Sequence, residues 1–444
     1  MRFAWSPTLM LEPLYTAAEM KAAEEGHDVE ELMERAGRAV ADEILTRFAA
    51  ARSFAAVCGG GANGGDGRIA AEFLRSSGWE ERPVGDADVV IDALFGTGFH
   101  GAPREEAAQQ IRAMNGSGAP VVAVDIPSGV DASTGEVPGE AVTAQLTVTF
   151  HGRKVGHEVA PGRFHRGELV VADIGLEPAE TEHALVTPQI LEQVPRRKPG
   201  DTKYSAGSVL VVGGSPGMTG AVCLTAEAAF RADAGYVTVA APPEALPVIE
   251  TRLLEAVKRP LDDVWDAVER AGALSVGPGL GRESGELVRR LLEETDLPAV
   301  VDADGLYELE PFEREAPTVL TPHSGELGRL LGEESAWVDA HRLEALKRAV
   351  ERFDCVVLLK GEGTLVGAPG SGALVCGGFP SLATAGTGDV LTGVVGAFLA
   401  KGMDARLATA AASTAHTEAA IAAPYRSGLV ASDLLEVLPR VLDA

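Results

Sequence analysis

The turn Ala383-Thr384-Ala385-Gly386-Thr387-Gly388-Asp389 runs straight into residues 390–399, a segment of small and apolar residues with helical character. Gly386 and Gly388 let backbone N–H groups converge on one concavity, Thr387 offers a hydroxyl, and the helix N-terminus adds partial positive charge, which together suit a phosphate. A carboxylate beside a phosphate repels it unless it has a task. Accepting the proton of a hydroxyl or amine that attacks phosphorus is such a task for Asp389; the competing reading is a helix cap. Lys360-Gly361 can set an ammonium near a phosphate or hold a surface carboxylate, and His323, three residues before Glu326, is either structural or a substrate contact. Cation, anion cradle and base are the parts of a phosphoryl-transfer site.

The first half carries a second constellation. Asn63, Asp66, Asp92, Asp125 and Ser128 all follow short apolar runs, and in an open parallel sheet such positions converge on one crevice. Asn63, Asp92 and Ser128 supply oxygens that suit a hard monovalent or divalent cation, while each Asp taken singly reads equally as a loop cap.

The elements that must position these residues read as alternating strands and helices. Residues 16–50 have helical spacing, as in Ala36, Val40 and Ile44, and predict a pair of surface helices. Strands are predicted at residues 54–58, 88–94, 121–125, 142–150 and 169–174, with a glycine-rich turn at 59–67 and a helix from Arg68 to Ser77. So many glycines point to close approach of the backbone to a ligand, or else to a flexible loop. Composition shifts over 177–204, which places a domain boundary near residue 180. Beyond it, strands at 207–214, 237–240, 274–276, 299–301, 318–320 and 355–359 again end in glycine or polar residues, a second α/β layered domain with its own ligand edge.

The 444 residues exceed what one core usually serves. Asp and Glu outnumber Lys and Arg by 65 to 38, a net charge of -27 that opposes nucleic acid or an anionic membrane as partner, so an anionic ligand must be held by local dipoles. Cys58, Cys223, Cys355 and Cys376 show no metal or disulfide spacing and fit a reducing cytoplasm. The N-terminal MRFAWSPTLMLEPLY lacks the apolar core and cleavage site of a leader, and no run is long enough to span a membrane. There is no G-x-x-x-x-G-K-S/T stretch, which excludes P-loop chemistry, and the glycines of 59–67 lack the acidic partner on the next strand that a classical dinucleotide-binding G-x-G-x-x-G has.

The ordered motifs resemble one family over nearly the whole chain. Leu32-Met33-Glu34-Arg35-Ala36-Gly37, Asn63-Gly64-Gly65-Asp66-Gly67, Asp92-Ala93-Leu94-Phe95-Gly96-Thr97-Gly98 and Asp125-Ile126-Pro127-Ser128-Gly129 are similar to the epimerase half of the bifunctional NAD(P)H-hydrate repair enzymes. Gly213-Gly214-Ser215, Gly277-Pro278-Gly279-Leu280-Gly281, Thr321-Pro322-His323-Ser324-Gly325-Glu326, Lys360-Gly361 and Ala385-Gly386-Thr387-Gly388-Asp389 are similar to their ADP-dependent dehydratase half.

The resemblance implies an α/β protein of two domains: a Rossmann-like open sheet with epimerase function over 1–180, and a ribokinase-like α/β sandwich with dehydratase function over 181–444. It implies that Asn63, Asp92 and Ser128 hold potassium. Ala62, Asn63, Gly64, Gly65 and Asp66, the loop Gly96, Thr97, Gly98, Phe99, His100, Gly101 and Ala102, and Asp125 would hold the hydrated nicotinamide nucleotide, with Asp125 the catalytic candidate. In the second half, Ala221, Gly279, His323 and Asp389 would meet the hydrate. Lys360, Gly361, Glu362, Gly363 and Thr364, with Ala385, Gly386, Thr387 and Gly388, would take ADP, or ATP, with Mg2+. A homo-oligomer is expected. Asp389 would deprotonate the C6 hydroxyl of the hydrate for attack on the terminal phosphoryl group of ADP.

Two features depart from the family pattern: Ala62 stands where a second Asn is usual, and the run from Asp66 to Asp92 is shorter by about one strand and helix. A small-metabolite kinase of ribokinase-like fold, or an active dehydratase with a non-catalytic N-terminal binding domain, are the alternatives.

Overall fold

The computed structural model describes residues 10–443; residues 1–9 of the N-terminal stretch read above lie outside them. The chain divides into two compact units, Pro13–Ala184 with the short Asp339–His341 segment, and Leu185–Val338 with residues 342–443 and 10–12.

In the first unit a 6-stranded sheet runs Glu80–Glu81, Ser53–Cys58, Val89–Ala93, Val121–Val124, Leu146–Phe150, Glu168–Ala172, parallel throughout. The shortened run between Asp66 and Asp92 is visible as the two-residue edge strand Glu80–Glu81, which pairs with Ser53 and Phe54. Val89–Ala93 and Val121–Val124 are near-continuous apolar runs because both faces are covered, whereas Leu146–Phe150 alternates with buried Thr147 and Thr149. One face packs on the helices Val29–Arg47 and Ala62–Ser76 through Val40, Ile44, Ala70 and Leu74. The other is covered by Ile111 and Met114 of Glu105–Asn115.

The helix expected from Arg68 begins at Ala62, so Asn63 to Gly67 are helical and not a turn. Three of the glycines are required by internal packing, while Gly60 and Gly61 face open space. A side chain at Gly64 would collide with the Gly59 carbonyl, one at Gly67 with Ala93, and one at Gly59 with the Leu94 carbonyl. The close approach is to the protein's own sheet, and packing overrides the poor helix propensity of glycine. The strand expected over 142–150 is confined to Leu146–Phe150.

In the second unit, parallel strands are ordered Val257–Pro260, Tyr236–Ala241, Ser208–Val212, Ala273–Val276, Ala299–Val301, Thr318–Leu320, Val356–Leu359, followed by the antiparallel Leu365–Gly367 and Leu374–Val375. The helix Thr387–Ala400, apolar almost all round, is buried against Thr219–Arg231 and Ala405–Ala422. Gly393 and Gly396 permit this: a side chain at 393 would strike the Thr225 carbonyl, and one at 396 the Ser275 hydroxyl. Burial of this helix fixes the direction in which its N-terminal turn points. Among the described residues no helix is long and apolar enough to cross a membrane.

Candidate functional site

In the second unit, a cavity of about 700 Å³ opens at the N-terminus of Thr387–Ala400. Its lining brings together His323, Lys360, Gly361, Glu362, Thr364, Ala385, Thr387 and Gly388, which lie far apart in sequence. Gly386 begins the helix with φ 90°, in the left-handed region that glycine favours, and so turns the backbone N–H groups after it toward the cavity. The Thr387 hydroxyl donates to the Leu382 and Thr384 carbonyls, 2.7 and 2.8 Å away. It holds the turn instead of reaching for a ligand.

Asp389 does not cap the helix: that place is taken by Gly386 without a side-chain bond. No described residue donates a hydrogen bond to the Asp389 carboxyl, and its backbone carbonyl accepts from Thr225 Oγ1 at 3.0 Å. Burial, then the facing Asp302, pushes its pKa up to about 7, with Asp304 and Glu326 adding to the rise and Lys360 opposing it. A carboxyl with that affinity is suited to exchange a proton at neutral pH.

Lys360 Nζ donates to Asp302 Oδ1 at 2.7 Å and stands 3.9 Å from Glu326 Oε2. Burial works against its ammonium, but Asp302 and Glu326 outweigh burial, and its pKa ends above the ordinary lysine value. His323 has the structural role of a helix cap. Its Nδ1 accepts from the Gly325 and Glu326 N–H groups as the cap of Ser324–Leu331, while Glu326 Oε2 accepts from the His323 N–H at 2.8 Å. The ring still lines the cavity. Ala221 and Gly279 are not brought to this lining; they lie against each other, a side chain at Gly279 coming within 3.3 Å of Ala221 Cβ. The next turn is tied to Asp304 by the Gly281 N–H at 2.9 Å.

Two groups escaped the sequence reading. Asp302, at the end of Ala299–Val301, was visible only as a strand-end residue. His416, on Ala405–Ala422, lines the cavity with its Nε2 buried and without a partner. Burial, followed by the Lys360 charge, lowers the His416 pKa to about 4 in spite of the Thr387 backbone, so the ring is neutral. An orphaned polar atom and an anion-ready turn facing one cavity fit a nucleotide.

The first unit brings its own predicted residues together. Asp92, fully buried at the end of Val89–Ala93, accepts from Ser128 Oγ at 2.6 Å and from the Ser128 N–H at 2.8 Å. Asn63 Nδ2 donates to the Phe95 carbonyl at 2.8 Å, which leaves Asn63 Oδ1 buried and unpartnered. No described cation pairs with Asp92, whose pKa burial pushes up to about 6 although Ser128 opposes this. An orphaned oxygen beside a buried carboxylate fits a cation of low charge, held by Asn63, Asp92 and Ser128. Gly96 closes over the same place: a side chain there would lie 2.8 Å from Asn63 Cβ.

Asp125 and Asp66 have opposite environments. Asp125 adopts φ 65°, and its Oδ1 accepts from Lys154 Nζ at 2.6 Å and Thr149 Oγ1 at 2.9 Å. Burial pushes the Asp125 pKa up, yet Lys154 overcomes it and the net shift is down. Asp66, on the helix Ala62–Ser76, takes no hydrogen bond from a described residue. Burial, with Asp125 and then Glu24 facing it, pushes its pKa up to about 8. Lys154 was missed by the sequence reading; it sits on Arg153–Lys154, a two-residue strand paired with Leu14 and Tyr15. His157 locks it, accepting from the Lys154 N–H at 3.0 Å while its Nε2 meets the Asp125 carbonyl at 2.9 Å. In the 96–102 loop, Phe99 stacks on Phe95 at 4.6 Å, and His100 pairs with Asp131 at 2.7 Å. Thr97, Gly98, Gly101 and Ala102 complete that loop, with open space at the two glycines.

Comparison with known proteins finds matches to both halves of the chain. Residues 209–440 match the family model described as NAD(P)H-hydrate dehydratase, and residues 29–84 and 77–156 match the YjeF-related protein N-terminus. The bifunctional NAD(P)H-hydrate repair enzyme Nnr of Salinibacter ruber is 36% identical, over 97% of this chain and 96% of the relative. The chain belongs to the bifunctional NAD(P)H-hydrate repair enzyme family. The Escherichia coli member is 34% identical over 93% of this chain and 89% of its own length. Among solved structures, the ADP/ATP-dependent NAD(P)H-hydrate dehydratase of Bacillus subtilis, co-crystallised with ATP/Mg2+, is 28% identical, with a TM-score of 0.54 over 58% of this chain and 96% of that one. A ribokinase-like protein of Enterococcus faecalis, 22% identical with a TM-score of 0.53, shares the fold.

Proposed function

We propose that this chain repairs hydrated NADH and NADPH. Residues 1–180 interconvert the R and S hydrates, and residues 181–444 dehydrate the S form to NAD(P)H with ADP, or with ATP as the alternative donor, giving AMP and phosphate from ADP. The observation that carries the reading is Asp389: a half-buried carboxyl of raised proton affinity with no described hydrogen-bond donor, directly after Gly388 in the turn that lines a nucleotide-sized cavity together with Lys360. The name of the Bacillus subtilis relative, and its crystallisation with ATP/Mg2+, support the nucleotide part.

In dehydration, Asp389 takes the proton of the C6 hydroxyl and the freed oxygen attacks the terminal phosphorus of ADP, whose bond to AMP breaks. Lys360 and the N–H groups after Gly386 face the charge that moves onto the phosphoryl oxygens. The C6–O bond then breaks, phosphate leaving as the ring nitrogen lends its electron pair, and loss of the C5 proton restores the double bond. Ala221, Gly279 and His323 meet the hydrate in this reading; His323 lines the cavity, and Ala221 and Gly279 lie against each other. Mg2+ belongs to the nucleotide phosphates in this reading and neutralises them when bound.

In epimerisation, the protonated Asp66 gives its proton to the C6 hydroxyl, which leaves as water while the ring nitrogen forms a double bond to C6. The ionised Asp125, held by Lys154, faces the resulting cation, and water adds to the other face, its proton passing through Asp125 and solvent back to Asp66. Asn63, Asp92 and Ser128 would hold potassium, whose charge would offset the buried Asp92 carboxylate. Residues 62–66 and 96–102 take the rest of the nucleotide. A cytoplasmic location fits the free cysteines, and exposed Val248 and Leu254 offer apolar surface for a homo-oligomer.

The test is incubation of the whole protein with mixed epimers of NADH hydrate and ADP, followed by absorbance recovery, with spontaneous epimerisation shown to be slower than the assay. Complete recovery supports both activities, recovery of only the S form supports the dehydratase alone, and no recovery sinks the reading.

A further inference from the structure

The end of the strand Ala299–Val301 carries a carboxylate whose role the reaction above leaves open. Asp302 is 1% exposed. Its Oδ1 accepts from Lys360 Nζ at 2.7 Å and its Oδ2 from Thr392 Oγ1 at 2.7 Å, while the Thr392 hydroxyl also approaches the Gly388 carbonyl at 3.0 Å. One carboxylate thus ties together the lysine strand, its own strand and the second turn of the cradle helix. A side chain at Gly388 would come within 3.4 Å of Lys360 Nζ and 3.8 Å of Asp302 Oδ2, so the pair lies directly beneath the residue preceding Asp389.

Resting on the dehydratase reading, we propose that Asp302 is a positioning residue for phosphoryl transfer: it anchors the Lys360 ammonium beneath the phosphate cradle and acts on the base Asp389 through its charge. With both oxygens occupied by side-chain donors, Asp302 is not itself a base for the substrate. What a carboxylate provides here and an amide does not is negative charge. The groups that face Asp389 are Asp302, Lys360, Asp304 and Glu326, of which Asp302 exerts the largest influence. Like charge strengthens the hold of a carboxylate on a proton, which makes Asp389 a better acceptor in the reaction. The same anchor stops Lys360 from folding onto Asp389 and quenching it, and leaves the ammonium free to share its remaining protons with a phosphate.

The test is the pH profile of kcat/KM for S-hydrate dehydration with ADP, together with KM for ADP, in the full chain. In Asp302→Asn the acid limb moves down by about one pH unit, because Lys360 is left to act on Asp389 unopposed by its nearest rival. KM for ADP rises by about tenfold as the anchor is lost. Asp302→Glu, which keeps the charge, leaves the limb close to its original pH. Thr392→Val, a milder change, raises KM for ADP, and Thr392→Ser restores it. An acid limb unmoved in a folded Asp302→Asn protein, or an unchanged KM in Thr392→Val, overturns the proposal. Asp389→Asn separates the two levels: if it still turns over, the dehydratase reading falls and takes this inference with it, whereas an inactive Asp389→Asn with an unmoved limb in Asp302→Asn removes the inference alone.

Discussion

Lys154 Nζ and Asp125 Oδ1 lie 2.6 Å apart in the interior of the first unit, with the lysine side chain 1% exposed. The ammonium also reaches Thr149 Oγ1 at 2.7 Å and the Phe150 carbonyl at 3.0 Å, so all its protons are engaged. Such a pair stabilises little relative to an apolar substitute, but loss of one partner strands the other.

Lys154→Met therefore destabilises the protein by about 3–5 kcal/mol, measured by denaturant unfolding, and abolishes epimer exchange. The pH dependence has a definite sign. Because the Asp125 pKa is lowered in the folded state, its stabilisation is present above the ordinary carboxylate value and lost as pH falls through the folded one. In Lys154→Met that acid-side loss disappears, since Asp125 then takes up its proton at higher pH. Equal acid sensitivity in both proteins would falsify this assignment.

For dehydration, the base Asp389 must be ionised, and its pKa is pushed up to about 7. Below that pH, kcat/KM falls by about tenfold per unit, and above it the profile flattens. Asp389→Asn removes turnover while nucleotide binding, followed by calorimetry, is retained. A flat profile from pH 5 to 8 counts against Asp389 as the base.

Potassium should stabilise the first unit through Asn63, Asp92 and Ser128. At a concentration 100 times its Kd the gain is about 2.7 kcal/mol, read as a shift in unfolding relative to choline chloride at equal ionic strength. Asn63→Ala removes the orphaned oxygen and with it the shift. If Asn63→Ala responds to potassium as the unchanged protein does, the ion is held elsewhere.

His416 supplies the one cavity-lining nitrogen that is buried and unpartnered among the described residues. His416→Ala raises KM for ADP by about tenfold, the worth of one hydrogen bond in a desolvated site, with a smaller effect on kcat. His416→Gln, which retains a polar end, recovers part of the loss. A KM equal to that of the unchanged protein would show that this nitrogen faces no ligand.

How far the sequence was legible depended on how local each signal was. Apolar runs that end in Gly, Asp or Ser marked the parallel strands and their ligand edges, because a strand buried on both faces needs no partner to be recognised. Asp389 stood out beside the glycines of its own turn. Asp302 and Lys154 did not, since their meaning comes from partners 58 and 29 positions away, and Thr392 reaches Asp302 across 90. His416 sits in an alanine-rich helix whose sequence gives no sign of which face meets a cavity. The helix start at Ala62 was hidden for the opposite reason: local propensity argued against it, and contacts with Gly59 and Ala93 decided it.

Those contacts limit how the first crevice can change. At Gly59, Gly64, Gly67 and Gly96 the space a side chain needs is taken by the sheet or by Asn63. New recognition chemistry can be built there only from positions that already carry a side chain, such as Ala62, Thr97, Phe99 and His100. Redesign for another hydrated nucleotide has few permissible starting points on this wall, and insertions into the open loop at Gly98 and Gly101 offer a wider range of variants than substitutions along the helix.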